Sequence, residues 1–118
     1  MTDKKIRTVY YSEEFKRFFA GLDNRTREKY IWTIHITETV RILPTKYVKK
    51  LERTELYEMR VSVGYNEYRT ILFAADNDNF IQATEIYLLN SFLKKSEKDY
   101  RQQIETARKI MNEIELCE

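Results

Sequence analysis

The stretch from Leu56 to Ala75 sets the tightest limit on what this chain can fold into. Tyr57, Met59, Val61 and Val63 fall on one face, and Glu58, Arg60 and Ser62 on the other. That period of two is the mark of a half-buried strand. Gly64-Tyr65-Asn66-Glu67 follows as a hairpin turn, and Tyr68 to Ala75 reads as the next strand. Asp76-Asn77-Asp78-Asn79 closes it with turn-forming side chains, and Phe80 to Phe92 holds a further strand. Consecutive strands joined by short turns imply an antiparallel sheet whose apolar face helices must cover. With an even-length loop around Tyr65-Asn66, opposed residue numbers sum to 131. Val63 then faces Tyr68, Ser62 faces Arg69, and Arg60 faces Ile71. Cross-strand partners share a face, so Arg60, Ser62 and Arg69 emerge together.

The helices are read from period and caps. Tyr100, Ile104, Ala107, Met111 and Ile114 recur in steps of four and three, behind Ser96 and Asp99 as a capping pair. Glutamates at 113, 115 and 118 oppose the helix dipole and predict loosening over Glu113–Glu118. Near the start, Ile6 to Tyr11 reads as a strand. Ser12 then caps a helix with an apolar stripe at Phe15, Phe18 and Phe19 and a stop at Gly21. Asp23 or Asn24 caps a second helical segment. There, Trp32, Ile36, Val40 and Leu43 fit a helix, while Tyr30, Trp32, Ile34, Ile36, Val40 and Ile42 also alternate as a strand would. The caps, the length and Pro44 favour the helix. Thr45 to Glu55 reads as a charged connection. The result is one α+β domain over residues 1–118, in the order β-α-α-β-β-β-α.

Composition excludes several kinds of function. Lys+Arg is 21 and Asp+Glu is 19, a net charge of +2, which is not a globally basic nucleic-acid packager. One Cys and one His exclude a disulfide framework, a cysteine zinc site and a two-histidine acid–base scheme. No phosphate-binding loop, dinucleotide motif, HExxH or CxxC is present. We therefore expect no metal and no cofactor. MTDKKIRTVYY has no apolar run of a signal peptide, and no stretch suits a membrane helix, so a cytoplasmic location is expected. His35 reads as a surface or half-buried helix residue, and Cys117 as an inert exposed thiol.

Two basic clusters stand out. Lys46, Lys49, Lys50 and Arg53 lead into Arg60, and Lys94, Lys95 and Lys98 precede Arg101. Glu52, Glu55, Glu97 and Asp99 dilute them, so a solvated face explains the lysines as well as a binding site does. Arg60 and Arg69 sit within strands. There, each cation needs an anion, for which Glu58 is at hand, or an open concave face. Such a set can stabilise the charge of a phosphorane-like transition state when RNA is cut, with the 2′-OH of the RNA as nucleophile. A tyrosine or lysine serves as base only where cations lower its pKa. Tyr100 is such a candidate, although as the first inward residue of the last helix its spacing fits a core position better.

Lys50-Leu51 followed by LYEMRV (56–61), YRTILF (68–73), IYLLNSFLKKSEK (86–98) and a long helix resembles the RelE/ParE toxin superfamily, and its HigB-like branch in particular. The resemblance implies a RelE-like fold and settles the second segment as helix. It also implies the toxin of a type II toxin–antitoxin system, a ribosome-dependent endoribonuclease. That toxin cuts mRNA by 2′-OH attack without a metal and so inhibits translation. By the same resemblance Arg60, Arg69, Lys94 and Tyr100 are catalytic. Lys46, Lys49, Lys50, Arg53, Lys95 and Lys98 fall to RNA and ribosome binding. The partners implied are a HigA-like helix-turn-helix antitoxin, the ribosome and mRNA, with DNA reached only through the antitoxin and no membrane. Glu58 stands where RelE-type members carry Lys, although the HigB-like branch often carries Glu, and Asn90 stands where some relatives carry His, so the resemblance supplies no histidine base. Relatives of ParE type poison gyrase without cutting RNA, and a relic that only binds antitoxin is the third alternative.

Overall fold

A computed structural model describes residues 4–116. The elements run β1 (Thr8–Tyr11), α1 (Glu13–Ala20), α2 (Asn24–Thr39), β2 (Val48–Lys50), β3 (Tyr57–Val63), β4 (Asn66–Ala74), β5 (Glu85–Leu93) and α3 (Glu97–Leu116). The expected α+β order holds, with β2 added inside the stretch read as a charged connection. Three residues are too few to show a period. β2 exists because Val48 turns into the core while Lys49 and Lys50 stay exposed, and lysines suit an edge strand because they discourage further pairing.

The sheet order is β1-β5-β4-β3-β2. The pairs β2–β3, β3–β4 and β4–β5 are antiparallel, as expected, but β1 runs parallel to β5, so the sheet is mixed. Parallel neighbours need a crossover, and α1 and α2 begin it. Met59, Val61, Leu72 and Leu88 point to the side of α1 and α2, and pack with Phe15, Tyr30 and Ile34. Ile71, Phe73, Leu89 and Phe92 point the other way, onto Ala107, Ile110 and Met111 of α3. A bulge at Ile71/Leu72 leaves Leu89 without a partner in the β4–β5 register, so that Leu88 and Leu89 are both buried.

Local chemistry explains the boundaries. Ser12 and Asp23 each accept from a backbone N–H in the first turn of their helix, Phe15 and Thr26 respectively. The β3–β4 turn is shorter than expected: only Gly64 and Tyr65 lie between the strands, and Gly64 has φ 61°. A left-handed φ at the first position of a two-residue hairpin is where glycine is at ease. The strand expected within Phe80–Phe92 runs from Glu85. Asn79 Oδ1 accepts from Ile81 N at 3.0 Å, and Asp76 Oδ1 from Thr84 and Glu85 N at 3.0 Å each. These bonds hold residues 76–84 as a loop, with Phe80 tucked into the core. α3 stays helical to Leu116, beyond the expected loosening at Glu113. Cys117 and Glu118 lie outside the described residues.

α2 is a helix, but its inner face differs from the stripe read from sequence. Tyr30, Thr33, Ile34 and Thr37 are buried, whereas Trp32 is 55% exposed and Ile36 is half-buried. Threonines can line the core because each satisfies its own hydroxyl. Thr33 Oγ1 donates to Lys29 O and Thr37 Oγ1 to Thr33 O, both at 2.9 Å. The end of α2 is closed by Arg7. Its guanidinium donates to the carbonyls of Thr37 (3.0 Å), Val40 (2.6 Å), Arg41 (2.7 Å), Phe80 (3.2 Å) and Ile81 (3.4 Å), and lies over the Phe80 ring. Among the described residues, no helix is long and apolar enough to cross a membrane.

Candidate active site

The site grows from the β3–β4 register. Arg60 lies directly opposite Arg69, Ser62 opposite Glu67 and Val63 opposite Asn66. Opposed numbers sum to 129 rather than 131, because the turn is two residues shorter. The parity survives, since any even loop preserves it, and Arg60, Ser62 and Arg69 share the face that α3 partly covers. Lys49 stands opposite Glu58 on β2, which brings it to that face as well.

Glu58 is the centre of the cluster. It is 5% exposed. Its Oε2 lies 2.9 Å from Arg69 Nε and 3.2 Å from Arg60 Nε, and its Oε1 accepts from the Tyr100 hydroxyl at 2.7 Å. The Arg60 contact is a hydrogen bond. The Arg69 contact is a close ion pair whose N–H is not aimed at the oxygen. Arg69 is only 6% exposed, donates through Nη1 to Tyr68 O at 3.0 Å, and reaches Glu67 at 3.7 Å. The ion pair with Glu58 that the sequence allowed is therefore formed, by both arginines at once. The face is open at Arg60 and closed at Arg69.

Above this cluster lies a cleft of about 370 Å³ lined by Lys49, Lys50, Leu51, Glu52, Glu58, Arg60, Lys94, Glu97 and Tyr100. Arg60, Lys94, Tyr100, Lys49 and Lys50 are thus brought together. Lys94 follows β5, where its N–H donates to Glu67 O at 2.7 Å, and its ammonium sits 5.8 Å from the Tyr100 ring centre. Arg69 lies beneath the cleft and does not line it. Lys46, Arg53, Lys95 and Lys98 are exposed and lie outside its lining. Lys46 rests over Tyr47, and Arg53 holds a left-handed turn at φ 62°.

Tyr100 is held as a donor. Burial first, and then the hydrogen bond and charge of Glu58, push its phenol well above the ordinary tyrosine range, and the nearby arginines only partly oppose this. A base needs the opposite shift, so the phenol stays protonated at neutral pH and can donate to an oxyanion. Because the folded value is raised, the stability this group supplies is complete below about pH 10, the unfolded tyrosine value, and is lost as pH climbs through the folded one. Tyrosinate absorbance of the protein and of Tyr100→Phe should therefore coincide below about pH 10. A Tyr100 step in the difference curve below that pH would contradict this.

The signal for Glu58 was in the sequence as its shared face with Arg60. Its hold on Tyr100, 42 residues away, was not.

A family model described as phage-derived protein Gp49-like (DUF891) matches residues 17–112. The chain belongs to that family. The match runs from within α1 to within α3 and takes in the whole Glu58 cluster. The Gp49-like chain is also similar in fold to E. coli RelE. A doubly substituted free E. coli RelE toxin aligns with a TM-score of 0.57 at 13% identity, over 86% of this chain and 97% of that one. The isolated E. coli RelE toxin aligns at 0.54 and 13%, over 84% and 96%. A chain of the intact E. coli RelBE toxin–antitoxin complex aligns at 0.54 and 11%, over 76% and 99%. No curated protein matches the chain. The fold is RelE-like, as the sequence motifs implied.

Proposed function

We propose that this chain is the toxin of a type II toxin–antitoxin pair, of the HigB-like branch, and that it cuts mRNA held on the ribosome. The observation that carries this reading is the cleft, in which Arg60, Lys94 and Tyr100 converge above a buried Glu58–Arg69 pair on a RelE-like fold. The 2′-OH of the message attacks the adjacent phosphorus. The O2′–P bond forms as the 2′-OH proton passes to water, the P–O5′ bond breaks as O5′ takes up a proton from water, and the products carry a 2′,3′-cyclic phosphate and a 5′-hydroxyl. Arg60 and Lys94 face the phosphate oxygens as charge builds on them, and the Tyr100 phenol donates to the same group. Arg69 acts from beneath, through Glu58. Lys46, Lys49, Lys50, Arg53, Lys95 and Lys98 meet the RNA backbones of message and ribosome. A HigA-like antitoxin with a helix-turn-helix domain is the partner that restrains the chain and joins it to DNA.

The ribosome is needed because a net charge of +2 gives the free chain little grip on RNA, and phosphate contacts dominate such affinity. Held in place, the message reacts as an intramolecular substrate does. Expression in cells followed by mapping of RNA ends should show breaks within translated messages. Purified chain at physiological salt should leave naked RNA nearly intact. DNA breaks and filamentation with intact mRNA would instead favour gyrase poisoning. Co-expressed antitoxin should restore growth and co-purify. Trp32, the single tryptophan and half-exposed on α2, reports by its emission whether the antitoxin covers that face.

A further inference from the structure

We propose that Glu58 is a positioning residue for this cleavage: its buried carboxylate fixes the Arg60 guanidinium through Nε where that residue lines the cleft, and fixes the Tyr100 phenol as a donor. The inference rests on the functional reading above and adds the device that aims its groups.

The geometry is a chain of fixations that starts from backbone. Tyr68 O accepts from Arg69 Nη1 at 3.0 Å, the Arg69 cation pairs with Glu58 Oε2 across 2.9 Å, and the same oxygen accepts from Arg60 Nε at 3.2 Å. Arg69 and Glu58 are both more than nine-tenths buried, so neither can swing away. Arg60 is different: its side chain is 30% exposed, and among the described residues neither Nη nitrogen has a protein partner. A planar fork held by one edge offers the other edge to a phosphate. Donors aimed before the reaction need no reorganisation as charge develops.

The register makes a carboxylate necessary at this point. Arg60 and Arg69 stand directly opposite each other, and like charges so placed repel. Oε2 sits between them and cancels that repulsion. Oε1 remains for Tyr100, so one carboxylate orders two donors, from β3 and α3, while pairing with the buried cation of β4.

The test is single-turnover cleavage of a short message on programmed ribosomes. Glu58→Gln should slow the cleavage step about 100-fold while the half-saturating toxin concentration changes by less than about threefold, because the binding lysines remain. Arg60→Ala should cost several-fold less in the Glu58→Gln background than in the native chain, since the carboxylate acts in part through that guanidinium. In Glu58→Gln the phenol of Tyr100 should also ionise at lower pH than in the native chain. Lys4→Ala, exposed and outside the cleft lining, is the control. A folded Glu58→Gln chain that cuts at the native rate overturns the inference, and so do fully multiplicative effects of the two substitutions. If Glu58→Gln does not fold, Glu58→Asp decides: it keeps the charge one methylene short of the arginines and should fold with a reduced rate, and full activity there overturns the inference. A native chain that leaves messages intact defeats the functional reading itself and takes the inference with it. Normal cutting by both native and Glu58→Gln chains defeats the inference alone.

Discussion

Replacing Arg7 by methionine should lower the stability of the chain by about 3–5 kcal/mol, the cost of stranding buried polar groups around a lost charge. Arg7 is 2% exposed, and its guanidinium serves carbonyls from the end of α2 and from the loop at Phe80 and Ile81. Methionine fills much of the volume but offers no donor, so the carbonyls of Thr37, Val40 and Arg41 lose their partner, while Phe80 O keeps Ala83 N–H and Ile81 O keeps Arg41 Nη1. Burial, and then Arg41, lower the Arg7 pKa, which shows the cost of keeping a cation there. The protein accepts that cost because one planar group closes a helix end and anchors a loop at once. For a chain of this size the loss corresponds to a fall in Tm of roughly 10–20 °C. Thermal unfolding followed by far-UV circular dichroism checks it, and a fall of under about 3 °C would show that water replaces Arg7 freely.

The second large effect separates the paired arginines. Arg60→Ala should reduce cleavage on the ribosome about 100- to 1000-fold, as loss of one oxyanion donor does, with little change in Tm. Its side chain is part-exposed, and Glu58 keeps Arg69 and Tyr100 as partners. Arg69→Ala should cost about 100-fold in cleavage and also about 2–4 kcal/mol of stability, because it removes the buried half of an ion pair. An open face would have made Arg69 cheap to remove, and its burial between Glu58, Glu67 and Tyr68 reverses that expectation. A folded Arg69→Ala chain with full toxicity and native Tm would remove Arg69 from both roles. Lys4→Ala should remain toxic.

The sequence made legible whatever depends on parity and period. Arg60 and Arg69 share a face whether opposed numbers sum to 131 or 129, so the error in turn length did no harm to the site. α3 was plain because its apolar steps are long and regular. What stayed hidden depends on contacts between distant segments. Arg7 falls on the same side of its strand as Val9, a buried position, yet only the meeting of α2 with the loop at Phe80 explains a cation there. β2 has one apolar residue to announce it. The inner face of α2 was misread because its threonines hide their hydroxyls in the helix backbone, leaving Trp32 free to face solvent. Of the ten cationic and tyrosine positions singled out, five line the cleft. Arg69 lies under it, and charge alone could not sort the others from a solvated surface.

The parallel pairing of β1 with β5 bears on how the chain is made. Thr8 and Glu85 are neighbours in the sheet but far apart in the order of synthesis. A nascent chain therefore carries β1 without a partner through most of translation, and the long loop to be closed makes this pairing a late event. Lys94 and Tyr100 emerge later still. Chains that stop before residue 85 hold an orphan strand and an incomplete cleft, so translation delivers the assembled cleft only in its last stretch.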